Sequence, residues 1–335
     1  MKIKSINWSF SLLALMVMPV MAEASEHASH GVYQVERSAA KVFESRAEKL
    51  ENAFIRFCRG GTRDELEEAW QQTMLSWMAL QGQERGPAKA LEQSWNVQFW
   101  PDKKNTTGRK MSSLIAQDKV WTEEEISVQS VTVQGLGAME WLLYDKASTL
   151  ETGSSVCKTG ANIAKNLSTN ATHINTAWKS NPWLALDEKG WNTEYIALLS
   201  NQLDYSMKKL SRPLAKTGKP RAYFSESWRS ERSMHNLKAN IEAMELLYFA
   251  NGNGLDKLLR DRNKVALADS IKKQFRFTID TWPTEPSLFT ALQSKDGYVD
   301  ILAQYNKLEQ LKYLIHEEVA IELGVIIGFN ATDGD

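Results

Sequence analysis

The chain has 335 residues, and 40 Lys and Arg face 41 Asp and Glu for a formal net charge of −1. That balance lacks the basic surplus of a nucleic-acid binder, and 43% apolar with 24% charged residues is a globular composition rather than a disordered one. Two Cys exclude a disulfide-rich scaffold and a four-Cys zinc site, while only 8 Pro and 18 Gly lean towards long helices, and the length suggests two domains.

Residues 1–22 read as a cleaved signal peptide: Lys2 and Lys4 form a basic start, Trp8 to Met18 a short apolar run, and Val20-Met21-Ala22 a cleavage site. The run is too short to span a bilayer, and no later segment is long and apolar enough to do so. No Cys lies near the cleavage site, so a lipid anchor is not expected. The mature chain is therefore expected in the periplasm with 38 basic and 41 acidic residues, a charge of −3.

Val32, Val35, Ala39, Val42, Phe43, Leu50, Phe54 and Phe57 recur at three-and-four spacing and predict a long helix. Gly60-Gly61 ends it, and Thr62 to Glu65 is a capping box for a second helix. Trp95 to Gly108 reads as an irregular excursion with aromatic anchors. Thr122 to Glu125 is another capping box, and Val156 to Trp178 predicts another long helix. Asn181-Pro182-Trp183 and Lys189-Gly190 mark a boundary. Beyond it, helices are predicted over 191–210, 228–250, 261–281 and 298–323, with no period-two strand run. The pattern predicts an all-α chain of two four-helix bundles, residues 30–186 and 187–335. A recurring Ala-Met-Glu at 138–140 and 243–245 suggests an internal duplication.

Export would place Cys58 and Cys157 in an oxidising space, where a disulfide between them is expected over the alternative of two separate buried thiols. Phosphate-loop, dinucleotide and nucleophile-elbow motifs are missing. His316-Glu317-Glu318 starts like a zincin helix, but Ala320 stands where the second ligand is needed. Glu140 and Glu245 sit in apolar helical segments. Each is either an edge carboxylate bonded to Arg or Tyr, or an interior one facing a ligand or metal. Arg229, Ser230 and Ser233 fall at an expected helix start, which suits either an anion or ordinary capping with a salt bridge.

Several segments together resemble the imelysin family, whose members are also described as iron-regulated-protein-like. They are Phe57-Cys58, Ala69-Trp70 to Trp77, Arg85-Gly86-Pro87, Gln98 to Asp102, Gln134 to Glu140, Arg229 to Ser233, Leu237 to Glu242, and the ending Leu323 to Asp335. The resemblance is strongest to the family's periplasmic, lipoprotein-like branch and covers essentially the whole mature chain. It implies two four-helix bundles, a ligand site at their interface and a link to iron acquisition. The family's motif is Gly-x-His-x-x-Glu. Gly135 and Glu140 match its ends, but Gly137 stands at the His position and supplies neither ligand nor general base.

The leading expectation is a non-catalytic periplasmic factor in iron or other metal acquisition. Its ligand-site residues would be Arg85, Gly135, Glu140, Arg229, Ser230 and Ser233, with Glu140 also a metal candidate and iron or another divalent metal as the bound species. Iron-uptake proteins of the cell envelope are the expected partners, and nucleic acid is not. The alternatives are an imelysin-type metallopeptidase and an envelope scaffold that docks a partner protein.

Overall fold

The computed structural model describes residues 26–325, so the expected signal peptide and most of the C-terminal signature lie outside the described residues. Helices follow in chain order as α1 (His30–Cys58), α2 (Arg63–Trp77), α3 (Ala88–Leu91), α4 (Ser94–Val97), α5 (Thr106–Ile115), α6 (Glu123–Ser127), α7 (Gly135–Tyr144) and α8 (Ser155–Ala177). They continue as α9 (Glu188–Leu214), α10 (Ser233–Phe249), α11 (Leu255–Asp261), α12 (Val265–Asp280), α13 (Leu288–Ala291), α14 (Lys295–Lys312) and α15 (Ala320–Leu323). A π-helical stretch, Tyr313–Val319, joins the last two. Among the described residues there is no strand, only an isolated bridge between Lys216 and Lys219. The chain is all-α, as its composition suggests.

The stripe predicted on α1 is real except at one position. Phe43, Leu50 and Phe54 are fully buried, whereas Val42 is half exposed. One residue turns the helix by about 100°, so Val42 cannot share the inward face with Phe43. The cap at Thr122 is a complete reciprocal box with Glu125, and Thr62 accepts from the Glu65 amide.

Helix α1 packs along α8 and α2, and α7 lies against α8 and α2. Helix α9 packs on α10 and α14, and α12 also packs on α14. Contacts of α10 with α1 and α2 join the two groups, and the buried apolar side chains form a connected core through both. Cys58, the last residue of α1, is disulfide-bonded to Cys157 in the first turn of α8, so the reading of two separate thiols falls.

Two features set α7 in place. Fully buried Trp70 of α2 donates its indole N–H to the Leu136 carbonyl at 3.1 Å, which satisfies a polar group that burial would otherwise strand. Gly135 has φ +61°, and a Cβ there would collide with the carbonyls of Asn96 and Val97. Only glycine lets the start of α7 lie against the end of α4.

The expected helix from Trp228 is displaced. Helix α10 begins at Ser233, and 226–231 form turns in which Ser227 and Glu231 have φ of +49° and +59°. Left-handed residues interrupt a helix however apolar its pattern. Glu140 and Glu245 also differ despite their similar sequence settings. Glu140 is buried, whereas Glu245 is half-buried.

Candidate functional site

The turns at 226–231 lie against α7, and Glu140 is the point of attachment. Its Oε1 accepts from the Arg229 amide at 3.1 Å, the Ser230 amide at 2.9 Å and the Ser230 hydroxyl at 3.0 Å. Burial raises the Glu140 pKa above the ordinary carboxylate range. The Ser230 hydrogen bonds and the Arg229 charge pull it part of the way back, and the Glu226 charge pushes it up.

Arg229 is gripped on the same side. Its Nε meets Asp145 Oδ2 at 2.7 Å, just past the end of α7, and its Nη2 donates to Asn105 Oδ1 at 2.6 Å. The guanidinium lies 4.3 Å from the centroid of the Trp228 ring, a cation–π contact.

Behind these residues lies a buried ion pair. Lys209 of α9 and Glu226 approach to 2.8 Å, with both side chains 2% exposed. Gln81 and Gln98 donate to the other Glu226 oxygen at 2.8 and 2.9 Å, and Lys209 donates to Asn240 Oδ1 at 2.6 Å. Burial lowers the Lys209 pKa, and Glu226 opposes that shift. Such a pair is tolerable only because each charge has further hydrogen-bond partners.

A cavity of about 260 Å³ opens in front of this network. The segment from Gln98 to Asn105 forms one wall and residues 223–229 form another, with Gly137, Glu140 and Arg212 between them. Asp102 holds the first wall by capping α5, accepting from the Thr106 and Thr107 amides at 2.7 and 2.8 Å. Gly137 faces open space: a Cβ built there meets nothing within 4 Å. The position that would carry the motif's His therefore enlarges the cavity beside Glu140.

Of the six expected ligand-site residues, Glu140, Arg229 and Ser230 come together here. Gly135 does not line the cavity and instead shapes the approach of α7 to α4. Ser233 starts α10 and accepts from the Leu288 amide at 3.3 Å. Arg85 faces Glu194 of α9 at 3.7 Å and does not line the cavity. The amides expected to await an anion at residues 229–230 are already taken by Glu140. Among the described residues no group of three or more His, Cys, Asp or Glu could hold a metal ion. With a glycine at 137 and one Glu140 oxygen committed to three donors, the residues present do not make up a metal-ligand set there.

Sequence reasoning missed Arg212, Lys209, Glu226 and Tyr223, which lie on α9 or in the loops after it. Only the aromatic, Lys-containing segment 95–108 had signalled one wall of the cavity.

Comparison with known proteins follows the same lines. The model of the imelysin family matches residues 37–315. An imelysin-like protein from Psychrobacter arcticum superposes with a TM-score of 0.78 at 19% identity, over 90% of this chain and 96% of that one. A protein from Parabacteroides distasonis described as an iron-regulated protein A precursor superposes at 0.57 with 14% identity, over 90% and 97%. No curated protein matches. Among the described residues, no helix is long and apolar enough to cross a membrane.

Proposed function

The chain belongs to the imelysin family, and from that premise we propose that it is an exported, periplasmic factor that serves the acquisition of iron or another metal by binding rather than by peptide cleavage. In this reading residues 30–186 and 187–335 are two bundles, and the ligand sits between them in the cavity beside Glu140. One observation carries the reading. The cavity is lined by both parts of the chain, and position 137 offers it space instead of a side chain.

The description of the Parabacteroides protein as iron-regulated supports the link to iron. A peptidase mechanism would need a base or metal ligand at 137, which glycine cannot provide. Because the residues present do not form a metal-ligand set, the metal in this reading is cargo, carried within a ligand of its own.

The test is calorimetry on the purified mature protein with ferric iron, zinc, copper, ferric citrate and haem, alongside its expression under iron starvation. Binding of an iron species and induction on starvation are expected. Binding of none of them, with expression unchanged, would sink the proposal.

A further inference from the structure

The charges around the cavity are unevenly matched. Three carboxylates line it, Asp102, Glu140 and Glu226, and the protein engages each of them. Asp102 caps α5, Glu140 holds the amides of Arg229 and Ser230, and Glu226 pairs with Lys209. Four cations line the same space: Lys103, Lys104, Arg212 and Arg229. Among the described residues, only Arg229 of these has a carboxylate partner, Asp145. Lys103 and Lys104 stand exposed on one wall.

Arg212 faces them from the last turn of α9. It is only partly exposed, and its Nε is buried with no hydrogen-bond acceptor among the described residues. Its guanidinium rests near the Trp100 ring, 5.8 Å from the centroid. A buried guanidinium N–H without an acceptor is costly, and an arriving oxyanion would satisfy it.

The rim adds an apolar face. Tyr223 is 64% exposed although its ring packs against Trp228 and Phe289, with centroids 5.0 and 4.9 Å away. An exposed aromatic beside unmatched cations suits a ligand with both an anionic and a flat or apolar part. The volume lies just below the roughly 300–1,000 Å³ usual for small-molecule sites, which restricts the ligand to a small one.

We propose that this cavity takes a small carboxylate-bearing anion, held by Arg212 with Lys103 and Lys104 and flanked by Tyr223. A metal–carboxylate chelate is one member of that class. The inference rests on the reading of the cavity as the ligand site and goes beyond it by naming the ligand's chemistry.

The test titrates the full mature protein with citrate, phthalate, ferric citrate and zinc chloride, following tryptophan fluorescence and heat. At least one carboxylate is expected to bind, with affinity falling as salt is raised. Arg212→Met is expected to weaken that binding by about tenfold or more. The surface double variant Lys103→Ala/Lys104→Ala is expected to weaken it about threefold or more without unfolding the chain.

Zinc binding without carboxylate binding would overturn the anion inference and leave a binding function standing. Binding of none of the four would overturn the anion inference, and the functional reading falls with it only if ferric iron, copper and haem also fail to bind and expression is unchanged on iron starvation. Carboxylate binding unchanged by salt and by both variants would also overturn the inference, because the ligand would then lie elsewhere.

Discussion

Ser230 donates both its backbone N–H and its hydroxyl to a single oxygen of Glu140, at 2.9 and 3.0 Å, across 90 residues of sequence. That link pins the turns ahead of α10 to the middle of α7. It fixes one wall of the cavity, and with it the position of Arg229.

Removing the acceptor should therefore cost stability. Glu140→Ala leaves three donors without their carboxylate oxygen. At about 1–3 kcal/mol for each stranded buried donor, and with some relaxation, a loss of about 3–5 kcal/mol is expected. Glu140→Gln keeps an acceptor oxygen and should lose less than half of that. Urea unfolding of both variants checks the ranking, and equal losses would show that the hydrogen bonds do not matter.

Glu36 predicts a pH dependence. It is buried on α1 with neither carboxyl oxygen in a well-formed hydrogen bond, and the nearby Gln83 side chain opposes the effect of burial without outweighing it. Burial pushes it from the ordinary 4.5 up to about 8. The folded state thus holds the proton more tightly than the unfolded one. Glu36 favours folding most below the ordinary carboxylate pKa, and this contribution is lost as pH rises from about 4.5 through about 8. Glu36→Gln should flatten that decline and leave the variant more stable than wild type at pH 8, by about 2 kcal/mol or more. Parallel stability curves for the two proteins from pH 5 to 8 would contradict this.

The Cys58–Cys157 bond closes a loop with a sequence separation of 99. Chain entropy gives such a cross-link about 4–5 kcal/mol, acting on the unfolded state. Cys58→Ser/Cys157→Ser should lower the unfolding midpoint accordingly while leaving the helix content by circular dichroism intact. A loss below about 1 kcal/mol would show that the bond adds little.

The pair of Lys209 and Glu226 should behave non-additively. Lys209→Met alone strands a buried carboxylate and should cost about 3–5 kcal/mol. Adding Glu226→Gln removes the stranded charge and should recover a substantial part of that loss. A thermodynamic cycle over the four proteins measures the coupling, and simple additivity would contradict it.

Much of the fold was legible because helices write themselves locally. The stripe on α1, the cap at Thr122 and the glycine stop at 60–61 each depend on neighbours within a few residues. The pairing of Cys58 with Cys157 needed only their number and the expected compartment. Glu140 stood out as a charge in an apolar run. Arg212, Lys209 and Glu226 did not, because they meet Met78, Gln81, Gln98 and Trp100 from more than 100 residues away, and no period marks them. The start of α10 was misplaced because left-handed turns at Ser227 and Glu231 leave no trace in an apolar pattern. The Ala-Met-Glu match did not separate its two carboxylates: Glu140 is a buried anchor and Glu245 is half-buried, a difference set by what packs against each helix.

Gly137 gives the most direct test that the cavity beside Glu140 is the ligand site. Ferric citrate is titrated calorimetrically into the wild type and into Gly137→Phe. A side chain there enters open space within the cavity, so the variant should fold with an unfolding midpoint close to that of wild type. The wild type is expected to bind, and Gly137→Phe to lose at least about tenfold in affinity. Equal binding by both folded proteins would contradict it.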